Sequence, residues 1–164
     1  GRPDRYRVLG ADVSGASWFR QALATKSGAE FAVDDIRQEP LLGGAPVATY
    51  ATAVRADGRE HEARIGVLGI HFDWEPQAQA IVEGVRLTES ERERTRCLLV
   101  DSAHRVIAAS DRSGLLTETL RLDTSAGPEG YSTDDAGTFV GYAVTPGYET
   151  YQGLGWYGVL LQTA

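Results

Sequence analysis

The sequence contains no methionine, one cysteine, and one lysine among its 16 basic residues. Cys97 is alone, so no disulfide can form within the chain. It sits in the apolar run Cys97-Leu98-Leu99-Val100 and reads as a small buried hydrophobe. The alternative is a reactive or dimer-linking thiol, and a single thiol does not fix the compartment. The arginine excess reads as compositional bias rather than function. There is no basic run, and the net charge is −7, which argues against nucleic acid as a partner because phosphate binding draws on Lys and Arg. No stretch approaches the ~20 apolar residues of a membrane-spanning helix. A G-x-S-x-G elbow, an H-E-x-x-H helix and a P-loop are all missing, so no catalytic residue and no cofactor is assigned. The chain starts at Gly1 without an initiator methionine and stops at Ala164 after an apolar run. The expectation is a piece of a larger protein.

What is present suits a folded domain. Fourteen aromatic residues and a 42% hydrophobic share can bury a core, and the length fits one domain or two very small ones. Residues 1–13 form a polar lead-in with Arg2, Pro3, Arg5 and Arg7. Ser14 or Asp12 can cap a helix whose apolar face is Trp18, Phe19, Ala22 and Leu23, with Gly28 closing it. Phe31-Ala32-Val33 is a short strand signal, and Val47–Arg55 is a longer one. The dipeptide Asp57-Gly58 is a turn, and a third strand spans about 63–74. Alternation in that strand puts Leu68, Ile70, Phe72 and Trp74 on one face, and Val67, Gly69, His71 and Asp73 on the other.

A helix follows Glu75-Pro76, and Thr88 with Glu91 matches a capping box. The alternating charges of 89–96 read as a solvated helix face. Residues 97–110 read as a hairpin turning at 101–104. Residues 115–122 are ambiguous between helix and strand, and 123–137 read as a surface loop. Two final strands are expected at 138–144 and 156–162. Grouped strands with two substantial helices define an α+β class, an antiparallel sheet with flanking helices.

Several residues could contact a ligand. His71 and Asp73 share a strand face and could hydrogen-bond a polar ligand; a metal role lacks a third ligand at an obvious spacing. The bland reading is a solvent-facing edge or a satisfied pair. Of Trp18 and Phe19, one can pack on the sheet while the other covers a pocket. Arg20 could bind a carboxylate bidentately or lie on the surface. Tyr50 could bring its hydroxyl to the pocket. The aromatic and glycine segment with Tyr148, Tyr151, Trp156 and Tyr157 either seals the sheet or forms a second wall. Gly153-Leu154-Gly155-Trp156-Tyr157-Gly158 fits G-x-G-x-x-G, but a strand follows it where a nucleotide site needs a helix. Asp34-Asp35 and Asp134-Asp135 are paired acids, but adjacent residues on a strand point opposite ways, and in a loop such acids are solvated.

Three stretches resemble one family when taken together. They are Ser17-Trp18-Phe19-Arg20-Gln21-Ala22; Gly66-Val67-Leu68-Gly69-Ile70-His71-Phe72-Asp73-Trp74; and Leu99 to Ser110 with the closing Gly153 to Val159. They resemble the Cache family, the PAS-like sensor domains of bacterial chemoreceptors and sensor kinases. The resemblance covers most of 14–162. It implies a PAS-like antiparallel sheet holding a small polar or anionic metabolite, on the extracytoplasmic (periplasmic) side of a membrane-anchored receptor, with a homodimer possible. Amino-acid-binding members carry an arginine two residues before the helix tryptophan; here that position is Ala16. The ligand-binding candidates are Trp18, Arg20, Tyr50, His71 and Asp73, with no metal or cofactor. Residues 14–164 are expected as a single sensor domain with a possible subdivision near 86–96. Either all strands join one sheet, or the chain holds the end of one PAS-like unit and a reduced second one. A ligand-free dimerising module and a small α+β hydrolase or isomerase are the alternative functions.

Overall fold

The structure is a computed structural model and describes residues 8–134, 136–147 and 153–163. Arg2, Pro3, Arg5, Arg7, Asp135, Tyr148 and Tyr151 lie outside the described residues. The chain divides into two compact units, 1–74 and 75–164. The strands fall into two antiparallel sheets, one of three strands and one of five, rather than into a single sheet. The α+β class is as expected.

The first unit contains helix α1 (Ser17–Ala24) and strands β1 (Ala32–Glu39), β2 (Ala45–Arg55) and β3 (Arg64–Asp73), in sheet order β1-β2-β3. Neither Ser14 nor Asp12 caps α1. The N-cap position is Ala16 and makes no side-chain cap bond, while the Asp12 carboxylate accepts the Ser14 N–H in a turn before the helix. The helix ends at Thr25, whose hydroxyl donates to the Ala22 carbonyl, not at Gly28. Gly28 instead donates its N–H to the Glu60 carbonyl. The Asp57-Gly58 turn does join β2 to β3, and both residues adopt positive φ. β1 is longer than its sequence signal, because it continues through Asp34 and Asp35 to Glu39. A register shift between Asp34 and Arg37 places two residues of β1, Asp35 and Ile36, against one of β2, Ala48, a bulge.

The second unit contains helices α2 (Trp74–Glu83) and α3 (Glu89–Arg94), with α2 opening at the boundary. Its strands are β4 (Thr95–Val100), β5 (Val106–Ala109), β6 (Glu129–Thr133), β7 (Phe139–Val144) and β8 (Tyr157–Gln162), in sheet order β5-β4-β8-β7-β6. The capping box forms: Thr88 Oγ1 accepts the Glu91 N–H, and Glu91 accepts the Thr88 N–H. The β4–β5 hairpin turns at Asp101, whose carboxylate accepts the N–H groups of Ala103 and Arg105. β6 lies inside the tract expected to be a loop, and pairs along β7 from Glu129 to Thr133. Residues 115–122 form neither a helix nor a regular strand; one bridge joins Thr119 to Arg105. The core gathers Leu98, Val100, Val106, Ala109, Tyr142 and Val159. Cys97 is buried, and that burial raises its thiol pKa, as befits a hydrophobe rather than a nucleophile.

Candidate functional site

Alternation along β2 gives the three-stranded sheet a packed face and an open face. Val47, Thr49, Ala51, Ala53 and Arg55 are all buried on the face toward α1. The helix lays Trp18 and Ala22 on Ala51, with Val13, Ala16, Phe19 and Val67 around them. Gly69 makes this approach possible. A Cβ built there would lie 2.8 Å from Trp18 Cζ3, so the indole occupies the space a side chain would take.

Polar groups cross this face as a row. Asp34 pairs with Thr49 across β1 and β2, and Thr49 pairs with His71 across β2 and β3. The Asp34 carboxylate is buried and is held from two sides: Ser17 Oγ donates to Oδ2 at 2.6 Å, and Arg37 Nη2 donates to Oδ1 at 2.7 Å. Thr49 Oγ1 lies 2.9 Å from His71 Nδ1. The Trp18 ring meets the His71 ring edge-on, with centroids 5.3 Å apart. The next row is Arg37, Val47 and Asp73. The bulge sets this order, since without the extra residue Arg37 would not stand opposite Val47.

The sequence-predicted residues divide between the two faces. Trp18 and His71 meet. Asp73 shares their face two residues further along β3 and is exposed. The Arg20 side chain is exposed on α1 and forms no ion pair among the described residues. Tyr50 does not join this group. It lies on the opposite face, 5.5 Å from Phe72 and 6.3 Å from Phe31 between ring centroids. There it belongs to an apolar surface with Val54, Leu68, Ile70 and Phe72, all exposed. Adjacent strand residues point opposite ways, so Tyr50 and Thr49 cannot serve the same pocket.

Ser17, Asp34, Arg37 and Thr49 were not among the predicted site residues. Ser17 stood inside the quoted helix motif, next to Trp18. Asp34 faces α1 by regular alternation from Ala32, and the bulge that follows it, which has no sequence mark, brings Arg37 to the same face.

The remaining candidates resolve simply. Gly153 and Gly155 have positive φ, and β8 follows them in place of a helix, so this segment is not a dinucleotide loop. Tyr157 packs beside the second unit's core, near Tyr142 and His104. A hollow of about 910 Å³ in that unit is lined by Glu83, Arg92, Arg94, Arg96, Cys97 and Asp111, among others. Two of its charges answer each other, Arg96 pairing with Asp111 at 2.9 Å, and Arg96 also pairs with Glu118 at 2.8 Å. We therefore place the candidate site at the α1 face, where polar groups converge beside an aromatic ring. No group of three or more His, Cys, Asp or Glu suited to a metal occurs among the described residues.

No family profile matches the chain, and no curated protein matches it. Solved structures do. The ligand-binding domain of the Pseudomonas aeruginosa PAO1 amino acid chemoreceptor PctC, in complex with GABA, aligns with a TM-score of 0.64 at 21% identity, over 99% of this chain and 66% of that one. The ligand-binding domain of PctB from the same organism, with L-Arg, aligns at 0.63 and 17% identity, over 99% and 65%. The Pseudomonas fluorescens chemoreceptor CtaA domain, with L-serine, aligns at 0.56 and 18% identity, over 98% and 66%. The chain thus has the fold of Cache-type ligand-binding domains of bacterial amino-acid chemoreceptors. It spans just under two thirds of the length of these neighbours.

Proposed function

We propose that this chain is the ligand-sensing part of a membrane-bound bacterial signal-transduction receptor, a chemoreceptor or a sensor kinase. The fold supports this reading: nearly the whole chain aligns with domains whose names describe chemoreceptor ligand binding. The ligand is a small polar metabolite bound beside Trp18 and His71 on the α1 face of the first unit. It signals through its different affinity for two conformations, so the chain needs no catalytic group. The location is extracytoplasmic, with the membrane anchor belonging to the parent receptor; among the described residues no helix is long and apolar enough to cross a membrane.

A thermal-shift screen of amino acids, organic acids and purines tests the proposal. The expected result is a rise in melting temperature with a narrow set of related compounds. A library without a single hit, together with turnover of some substrate, sinks it.

A dimerising module is the second reading. It is favoured by the open apolar face of the first unit, where Leu68 is 53% and Ile70 49% exposed.

A further inference from the structure

The hollow of about 910 Å³ in the second unit is lined from three stretches of chain. The end of α3 supplies Arg92, Glu93 and Arg94, the start of β4 supplies Thr95, and the exit of β5 supplies Ser110 and Asp111. Its acid groups are mostly occupied. Asp111 Oδ1 accepts the Ser113 N–H, while Oδ2 accepts the Ser113 hydroxyl and lies 2.9 Å from Arg96 Nε. Glu83 accepts from Gln79 Nε2 and lies 3.8 Å from Arg112.

The donors are in the opposite condition. Thr95 Oγ1 accepts from Gln162 Nε2 at 2.9 Å, and Ser110 Oγ accepts from the Cys97 N–H at 3.0 Å. Each hydroxyl therefore keeps its own proton, and neither proton has an acceptor among the described residues. Thr95 is 8% exposed, and a buried donor left without an acceptor is disfavoured. Arg92 gives one N–H to the Val85 carbonyl at a long 3.5 Å, and neither Arg92 nor Arg94 forms an ion pair among the described residues. Burial raises the Cys97 thiol and the Arg92 charge opposes it, so that guanidinium stands near the Cys97 side of the hollow. Against two guanidinium groups and two free hydroxyl protons stands one acid without a partner, the exposed Glu93.

A guest that satisfies this lining must carry negative charge and many acceptor oxygens. The donors come from three separate elements. A tetrahedral oxyanion presents oxygens in that many directions, whereas one planar carboxylate does not. We propose that this hollow is a second binding site of the chain, for an oxyanion of the phosphate type, held by Arg92, Arg94, Thr95 and Ser110. It shares no residue with the α1 face and does not rest on the sensor reading. Its volume lies within the range of small-molecule pockets, so the phosphate can be free or part of a larger metabolite.

Calorimetry on the whole chain at neutral pH and low salt tests this with inorganic phosphate, glycerol 3-phosphate, citrate and spermidine. At least one of the two phosphate compounds is expected to bind, and more weakly as sodium chloride is added. Tighter binding of glycerol 3-phosphate would mark an organic phosphate as the guest, and tighter binding of inorganic phosphate the free ion. Arg92→Gln and Arg94→Gln change exposed positions and are each expected to weaken binding about tenfold, as for the loss of one charged hydrogen bond. Thr95→Val is expected to weaken it similarly. Thr95→Ser keeps the hydroxyl and the bond from Gln162, and is expected to hold affinity within about threefold. Glu93→Gln removes the opposing charge and is expected to tighten binding.

Equal affinity in Arg92→Gln, Arg94→Gln and Thr95→Val overturns the placement in this hollow. Failure of both phosphate compounds to bind overturns the proposal, as does binding of citrate alone or of spermidine alone. None of these outcomes bears on the α1 face, so the sensor reading stands or falls by its own screen.

Discussion

The Trp18 indole lies on Gly69, so close that a methyl group there would meet its ring at 2.8 Å. The pairing depends on a residue without a side chain on β3 and a large ring on α1. Gly69→Ala is expected to push α1 off the sheet and cost about 1–3 kcal/mol, as other overpacked cores do. Urea denaturation reads this as a lower midpoint at unchanged slope. An unaltered midpoint would mean that α1 does not seat on this face.

Ser17 offers a test in which two effects oppose each other. Alanine is the better helix former by a few tenths of a kcal/mol. Ser17→Ala, however, removes one of the two side-chain donors holding the buried Asp34 carboxylate. A hydrogen bond to a charged group is worth about 1.5–3 kcal/mol, so the net effect is expected to be a loss of stability. A gain on substitution would show that water replaces the serine hydroxyl without cost.

Acid should weaken the second unit through Arg96. Its hydrogen bonds hold the Glu118 carboxyl below the ordinary 4.5, against a smaller opposing effect of burial. Burial raises Asp111, but hydrogen bonds from Ser113 and Arg96 outweigh it and leave that group below the ordinary 3.8. Groups depressed in the folded state stabilise it above their unfolded values and lose that contribution as pH falls through the folded ones. Stability should therefore decline from about pH 4.5 downward. Arg96→Leu should flatten this part of the profile, as followed by the denaturation midpoint at successive pH values. An equally steep decline in the variant would assign the acid sensitivity elsewhere.

Cys97 should be inert in the native state. It is 3% exposed, and burial pushes its thiol up, with Arg92 opposing weakly. A thiol reagent at neutral pH is expected to react with the folded chain only slowly, and with one thiol per chain after denaturant is added. Fast labelling of the native protein would restore the reactive or dimer-linking reading.

Much of the fold was legible where local chemistry and tertiary packing agree. β3 shows its two faces by simple alternation, and the structure keeps Gly69 and His71 on the face under Trp18. The capping box at Thr88 and Glu91 is a local device and forms as written. β1 was cut short because Asp34 and Asp35 are poor strand residues taken alone; Ser17 and Arg37, distant or across a bulge, make one of them acceptable. β6 escaped notice because Gly130 and its Ser and Thr neighbours carry turn chemistry, while the strand takes its order from β7. Gly130 itself lies under the Tyr142 hydroxyl, at 2.7 Å from where its Cβ would be. The candidate site was half legible. Trp18 and His71 are marked by residue type and face, whereas Asp34 and Thr49 depend on pairing register, which the sequence of one strand does not carry. The side of the sheet that Tyr50 takes likewise depends on its register against β3.

The strand order of the second sheet bears on how that unit is made. β8 comes last in the sequence yet sits in the middle, between β4 and β7. Until it arrives, the β4–β5 hairpin and the β6–β7 hairpin have no strand to join them. During synthesis the half-built sheet must therefore wait with two unsatisfied edges, open to mispairing with other nascent chains. A chain that stops before Tyr157 should accumulate as aggregate rather than as a smaller folded unit, and a chaperone that shields strand edges should help the complete chain most during this interval.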